Sequence, residues 1–169
     1  MEHFLKARDI LGYKSPRMIC VPPDATLGEA IEKMVDNKIG AMLVKDGEDI
    51  VGIWSERDHL MDTLMPGYDP KTARIRDYMK TDLHTAEADT SIIKLQELFL
   101  GLYIRHILIV DQGKQIGLLS IGDVIRAILI QKDRELKELY EIASWEYYEN
   151  WGWHHKYKDP KKGDKNNRE

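Results

Sequence analysis

The sequence predicts an α+β fold built by tandem duplication of a β-α-β-β-α unit, the two copies packed about a pseudo-twofold axis, with an extended C-terminal helix. Three observations predict it. Sliding the chain over itself by 65 residues pairs Asp24 with Asp89, Ile39 with Ile104, Asp46 with Asp111, Gly52 with Gly117, Ser55 with Ser120 and Asp58 with Asp123, without a gap. Apolar positions keep the same offset, as in Leu27 with Ile92, Met42 with Ile107, Val44 with Ile109 and Leu60 with Ile125, so a burial pattern is duplicated along with the identities. From Val124 on, Ile125, Ile128, Leu129, Leu136, Leu139, Tyr140 and Ala143 run at helical spacing past Lys132 and Asp133, beyond the end of the second copy, to about Asn150, with Gly152 as the stop.

Each element follows from local pattern. MICV is a short strand ended by Pro22-Pro23, and Asp24 or Thr26 caps the next helix, where Leu27, Ala30, Ile31 and Met34 share one face. Asn37-Lys38 closes that helix, AMLV makes a strand, Asp46-Gly47 a turn, and DIVGIW an antiparallel partner. Ser55 opens a second helix through about Leu64. The second copy repeats this from about Leu83 to Ile130. An echo precedes each copy, ARDIL at 7–11 and IRDYM at 75–79, three residues off the main offset, so the duplication begins ahead of Asp24. The resulting organisation is a first repeat with its lead-in over 1–65, a turn-rich linker over 66–74, a second repeat over 75–130, a helical extension over 131–150, and an aromatic then basic, partly disordered tail over 151–169. One copy alone buries too little surface to be stable, so the two should pack on each other. The long helix would expose an apolar stripe unless a second subunit covers it, which predicts a homodimer.

Composition narrows the function. With 43% apolar and 32% charged residues, the chain can build a core. No apolar run approaches the roughly 18–20 residues of a membrane span, and MEHFLKARDI does not read as a signal peptide, so a cytoplasmic protein is expected. The net charge of −4 divides into +3 on residues 151–169 and −7 on the rest. An acidic body argues against nucleic acid as the main partner. Cys20, the one cysteine, reads as a small buried side chain with no zinc-ligand spacing around it.

Ser55 and Asp58, repeated as Ser120 and Asp123, carry the chemistry. Ser-x-x-Asp at a strand-to-helix turn has a structural reading as a capping box. It also has a functional one, in which the carboxylate accepts hydrogen bonds from two ribose hydroxyls. Both need the same geometry. Arg57 in the first turn, and Arg105 and His106 at the start of the second copy's central strand, are suited to phosphate, and together they describe a ribose-and-phosphate cleft.

The tandem units, the ICVPPDAT opening, the RHILIVD strand and the paired GIWSERD and GLLSIGD turns resemble the cystathionine-β-synthase (CBS) domain pair, or Bateman module, in its stand-alone bacterial or archaeal form, over about residues 5–130. The resemblance implies a regulatory module with two clefts between its repeats that bind adenosine-containing ligands, AMP, ADP or ATP foremost, with S-adenosylmethionine or NADH as alternatives, and no catalysis. It places the ribose-binding aspartate on Asp58 and Asp123, the Ser/Thr on Ser55 and Ser120, and the adenine-lining segment on Ile19, Cys20, Val21 and Pro22 with Thr26 beside it. The second copy departs from the pattern with His84, Thr85, Ala86 and Glu87 in that segment and Gly122 in place of Arg57. The Asp58 cleft is therefore expected to be the better site, with Asp123 either a site or only a cap.

Other classes fit less well. Ser55, Asp58 and His59 are triad-type residues, but one helical turn cannot hold them in nucleophile-base-orienter geometry, and His59 reads as a helix-surface residue. His154 and His155 lack a third ligand, and Trp145, Trp151 and Trp153 suit docking on the body or on a partner. A protein-interaction or dimerisation module with a vestigial cleft shares the fold and differs in predicting that nucleotides do nothing. Any regulatory output must pass to an effector protein on another chain.

Overall fold

The computed structural model describes residues 5–14 and 18–151, with side chains to 141. Met1–Ala127 form one compact unit and Ile128–Glu169 a second. The expected tail from Gly152 on, with His154 and His155, lies outside the described residues.

Within the first unit, the elements run α1 (Ala7–Gly12), β1 (Cys20–Val21), α2 (Leu27–Asn37), β2 (Ala41–Asp46), β3 (Asp49–Ser55), α3 (Glu56–Asp62), a 3₁₀ turn (Ile75–Asp77), β4 (Thr85–Glu87), α4 (Ile92–Gly101), β5 (His106–Asp111) and β6 (Lys114–Ser120). They make two three-stranded sheets, β1-β2-β3 and β4-β5-β6, each with a parallel then an antiparallel pair. The duplication extends to detail: Ala41 faces Ser55 as His106 faces Ser120, and the register slips after Val44 as it does after Ile109. Both hairpins turn in two residues, using positive φ at Gly47 in one and at Gln112 and Gly113 in the other.

The helices start where hydrogen bonding favours it. Thr26, not Asp24, caps α2, its hydroxyl accepting from Glu29 N while the Glu29 carboxylate accepts from Thr26 N at 2.7 Å. The linker is a working part of this start: the carbonyls of Pro70 and Ala73 accept from Gly28 N and Leu27 N, two donors with no partner inside the helix.

Three expectations are corrected. The first strand is Cys20–Val21 rather than all of MICV, because Met18 and Ile19 do not pair with β2. Helix α3 ends at Asp62, short of Leu64; Met65 precedes a proline, which disfavours helix, and Leu64 and Met65 close tighter turns onto Met61 and Asp62. His59 is half-buried, edge-on to Trp54 with ring centroids 5.5 Å apart, its Nδ1 2.7 Å from the Tyr68 hydroxyl.

Two kinds of core hold the unit. The first repeat has its own, made by Leu27, Ala30, Met34, Met42, Val44 and Trp54, and closed by Ile75. The repeats meet in another, where Leu43, Ile50 and Leu108 pack with Met18, Cys20, Ile53, Leu83 and Leu118 around them. Leu43 and Leu108 are repeat-related, as are Ile53 and Leu118, which is the signature of a pseudo-twofold axis. Each fully buried leucine there stabilises by roughly 1.5–3 kcal/mol. Gln115 ties the repeats to each other, its side chain accepting from Ile50 N at 2.7 Å and donating to Ile50 O at 3.2 Å, again between repeat-related positions.

The lead-ins are exchanged. Residues 5–14 hydrogen-bond to the second repeat, Ala7 N to Thr90 O, Arg8 N to Ala88 O and Ile92 N to Leu5 O. Residues 75–80 bond to the first, Ile75 N to Ala25 O and Lys80 to Ile53 in both directions. Glycines make room for them: a Cβ at Gly117 would meet Leu11 at 2.7 Å, and one at Gly52 would overlap the Met79 side chain.

The second unit continues the helix that begins in the first, α5 (Ile121–Trp151). Its polar face carries ion pairs one turn apart, Lys132 with Glu135 and Asp133 with Lys137, while Leu129, Leu136, Leu139 and Tyr140 are exposed.

Candidate functional site

Ser55 ends β3 in an extended conformation and caps α3, which makes Asp58 the third helical residue. The Asp58 Oδ2 atom accepts from Ser55 N at 2.9 Å and from the Ser55 hydroxyl at 2.6 Å. Its Oδ1 pairs with Lys80 Nζ at 2.7 Å, so this nearly buried carboxylate is satisfied on both oxygens. Burial pushes its pKa up, but the hydrogen bonds from Lys80 and Ser55 outweigh that and hold it below the ordinary value.

The second turn repeats the geometry with one difference. Asp123 Oδ2 accepts from Ser120 N at 2.8 Å and its hydroxyl at 2.9 Å, and also from Lys14 Nζ at 2.7 Å. Its Oδ1 has no partner among the described residues. Burial opposes ionisation here too and is again outweighed, by Lys14 and Ser120, so this pKa is also lowered. Each carboxylate thus receives a lysine from the exchanged lead-in of the other repeat.

Each turn opens into a cleft. The Asp58 cleft has a volume of about 400 Å³ and takes Arg57, Lys80 and Arg105 with Leu83, His84 and Tyr103. The Asp123 cleft, about 680 Å³, takes Lys14, Lys38 and Arg126 with Met18, Ile19 and Ile39. Both fall in the range of small-molecule sites, about 300–1,000 Å³. His106 and Ser120 line both, so the clefts share a wall. Burial depresses the His106 pKa, with Lys14 and Arg105 adding to that and Asp123 and Asp58 opposing it.

This geometry redistributes the residues named from sequence. Ser55, Arg57, Asp58, Arg105 and His106 come together, as do Ser120, Asp123 and Ile19. Ile19 therefore stands with Asp123, and its repeat-related position His84 stands with Asp58, because each cleft lies between repeats and takes its carboxylate from one and its strand lead from the other. Cys20, Val21, Pro22 and Thr26 line neither cleft. Val21 belongs to the first repeat's core, Thr26 is spent on capping, and Cys20 is half-buried between the sheets, where burial raises its thiol pKa. Lys14, Lys38, Lys80 and Arg126 were not singled out as site residues from the sequence, where Lys38 reads only as a helix end. The lead-in echo held a signal for two of them, since Lys14 and Lys80 each follow it within a few residues.

A family model for the CBS domain matches residues 7–58 and 75–130, which takes in both repeats and both lead-ins. The chain belongs to the CBS domain family. Among curated CBS proteins it is 33% identical over 121 residues to the mitochondrial CBS domain-containing protein CBSX3 of Arabidopsis thaliana, matching 69% of this chain and 59% of that one. Among solved structures it resembles a CBS-domain containing protein from Agrobacterium tumefaciens at TM-score 0.69 and 28% identity, covering 73% of this chain and 98% of the other. It also resembles CBSX2 in complex with AMP, at TM-score 0.61 and 26% identity, covering 75% and 98%. A CBS pair is a regulatory ligand-binding module, and both clefts of this chain are lined by polar and charged side chains. No described helix is long and apolar enough to cross a membrane, and the described residues contain no cluster of three or more metal-binding side chains.

Proposed function

We propose that the chain senses an adenosine-containing nucleotide, AMP, ADP or ATP, in the clefts between its CBS repeats and signals occupancy to a partner protein without chemistry on the ligand. The observation that carries this reading is the pair of repeat-related carboxylates, Asp58 and Asp123, each held ionised at the mouth of a cleft that also contains arginine or lysine. A ribose offers two hydroxyls to such a carboxylate, and the basic side chains suit a phosphate. The AMP complex of CBSX2 supports the choice of ligand class. Ligand held between two repeats biases their arrangement by its differential affinity, which is what a sensor requires.

Signalling needs a surface. Leu60, Met61, Leu64 and Met65 are exposed on and just after α3, and Ile125 on the repeat-related helix, an apolar set suited to a second copy of the chain. The same set supports a second reading, a dimerisation or interaction module on which nucleotides have no effect.

Thermal melting with AMP, ATP, S-adenosylmethionine and NADH separates the two. At 100 times Kd a one-site ligand adds about 2.7 kcal/mol, or roughly 5–10 °C in a chain of this size. A rise with AMP or ATP that Asp58→Ala or Asp123→Ala reduces supports the sensor. Unchanged melting with all four ligands leaves the interaction module.

A further inference from the structure

The two clefts share a wall but differ in charge. Around Asp58, the cations Arg57, Lys80 and Arg105 are matched by the carboxylates of Glu56, Asp58 and Asp82. Around Asp123, the cations Arg8, Lys14, Lys38 and Arg126 face that one carboxylate. Arg8 is spent elsewhere, on Asp89 at 2.9 Å and Asp111 at 3.5 Å, and Lys14 is spent on Asp123 itself. Lys38 and Arg126 remain, and neither makes an ion pair with another described residue. They sit on separate elements: Lys38 is the left-handed residue that ends α2, with φ 54°, and Arg126 lies one turn beyond Asp123 on α5. The cleft they line is also the larger, about 680 Å³ against 400 Å³. Glu87, the second copy's counterpart of Pro22, lines neither cleft.

We infer that the clefts are sorted by ligand charge: the Asp123 cleft takes an adenine nucleotide with two or three phosphates, and the Asp58 cleft takes one with a single phosphate or none. This rests on the reading of the clefts as adenosine-nucleotide sites. The physical reason is that cleft walls are screened less than open surface, so an unbalanced pair of cations favours each added phosphate charge, whereas a balanced set does not. The partnerless Oδ1 of Asp123 lets a ribose hydroxyl bind there without displacing a lysine, while at Asp58 it must compete with Lys80.

The test is calorimetric titration of the full chain with ATP and with AMP. Two double variants are compared, Lys38→Gln with Arg126→Gln, and Arg57→Gln with Arg105→Gln. All four side chains are exposed, so the variants should fold, and melting without ligand checks that they do. The inference expects the Lys38/Arg126 variant to lose about tenfold or more in ATP affinity and to keep its AMP affinity, since two charge-assisted contacts are removed. It expects the Arg57/Arg105 variant to weaken AMP more than ATP. An ATP affinity weakened no more by the first variant than by the second would overturn the sorting while leaving the nucleotide reading intact. Binding of neither nucleotide by the wild-type chain would overturn both.

Discussion

Lys80, from the segment that leads into the second CBS repeat, closes a 2.7 Å ion pair on Asp58 of the first. Its image is Lys14 on Asp123, also at 2.7 Å. Each cleft carboxylate is therefore held by a residue from outside its own repeat, and the clefts and the seam between repeats are the same place. Removing Lys80 should be felt in both. Lys80→Met is expected to lower stability by about 1 kcal/mol, the modest value of a pair whose lysine is exposed, and to lower the melting temperature by roughly 2–4 °C. The same variant should bind adenosine more tightly than wild type, because Oδ1 of Asp58 no longer has to release a lysine. Melting and adenosine titration check the two halves.

Gly52 and Gly117 are where the exchanged lead-ins touch the sheets. Gly52→Ala is expected to destabilise by about 1–3 kcal/mol, because its Cβ would overlap Met79. Adding Met79→Ala should recover part of that loss. Denaturant melts of the two variants test whether residues 75–80 pack on the first repeat.

Gln115 satisfies both backbone groups of Ile50 across the seam. Gln115→Ala leaves them without that partner and is expected to cost about 1–3 kcal/mol. Gln115→Glu should cost no less, since a carboxylate cannot donate to the Ile50 carbonyl. Urea denaturation of both variants is the measurement.

Acid should act in two stages. His106 has a depressed pKa because burial disfavours its charged form, with the cations Lys14 and Arg105 adding to this against Asp123 and Asp58. The unfolded chain then binds this proton more readily than the folded one, so stability is full above the ordinary histidine value of about 6.5 and falls as pH drops below it. Asp58 and Asp123 have lowered values, so their contribution holds above about 3.9 and is lost as pH falls through their folded values. Melting from pH 8 to 4.5 should show the first loss, and His106→Gln should flatten it.

The fold was legible in the sequence because duplication doubles each signal. Leu43 and Leu108 are weak evidence singly, but they share an offset with Gly52 and Gly117, Ser55 and Ser120, Asp58 and Asp123, and the structure uses every one of these pairs in repeat-related roles. The carboxylates were legible for the same reason. The composition of each cleft was not, because it is assembled across the pseudo-twofold axis. Ile19 and Asp58 share a repeat, yet Ile19 faces Asp123. The lysines were hidden because Lys14 and Lys80 lie 66 positions apart, so they pair neither at the main offset of 65 nor at the echo's offset of 68. Thr26 and Cys20 had plausible ligand-facing positions, but a capping box and the seam between sheets claimed them first.

The central claim, that these clefts hold an adenine nucleotide through Asp58 and Asp123, is tested most directly by equilibrium dialysis of the whole chain against AMP, with wild type and the double variant Asp58→Ala with Asp123→Ala compared after circular dichroism has shown both folded. The account predicts saturable binding by wild type and its loss in the double variant. No saturable binding by wild type, or undiminished binding by the folded variant, would contradict it.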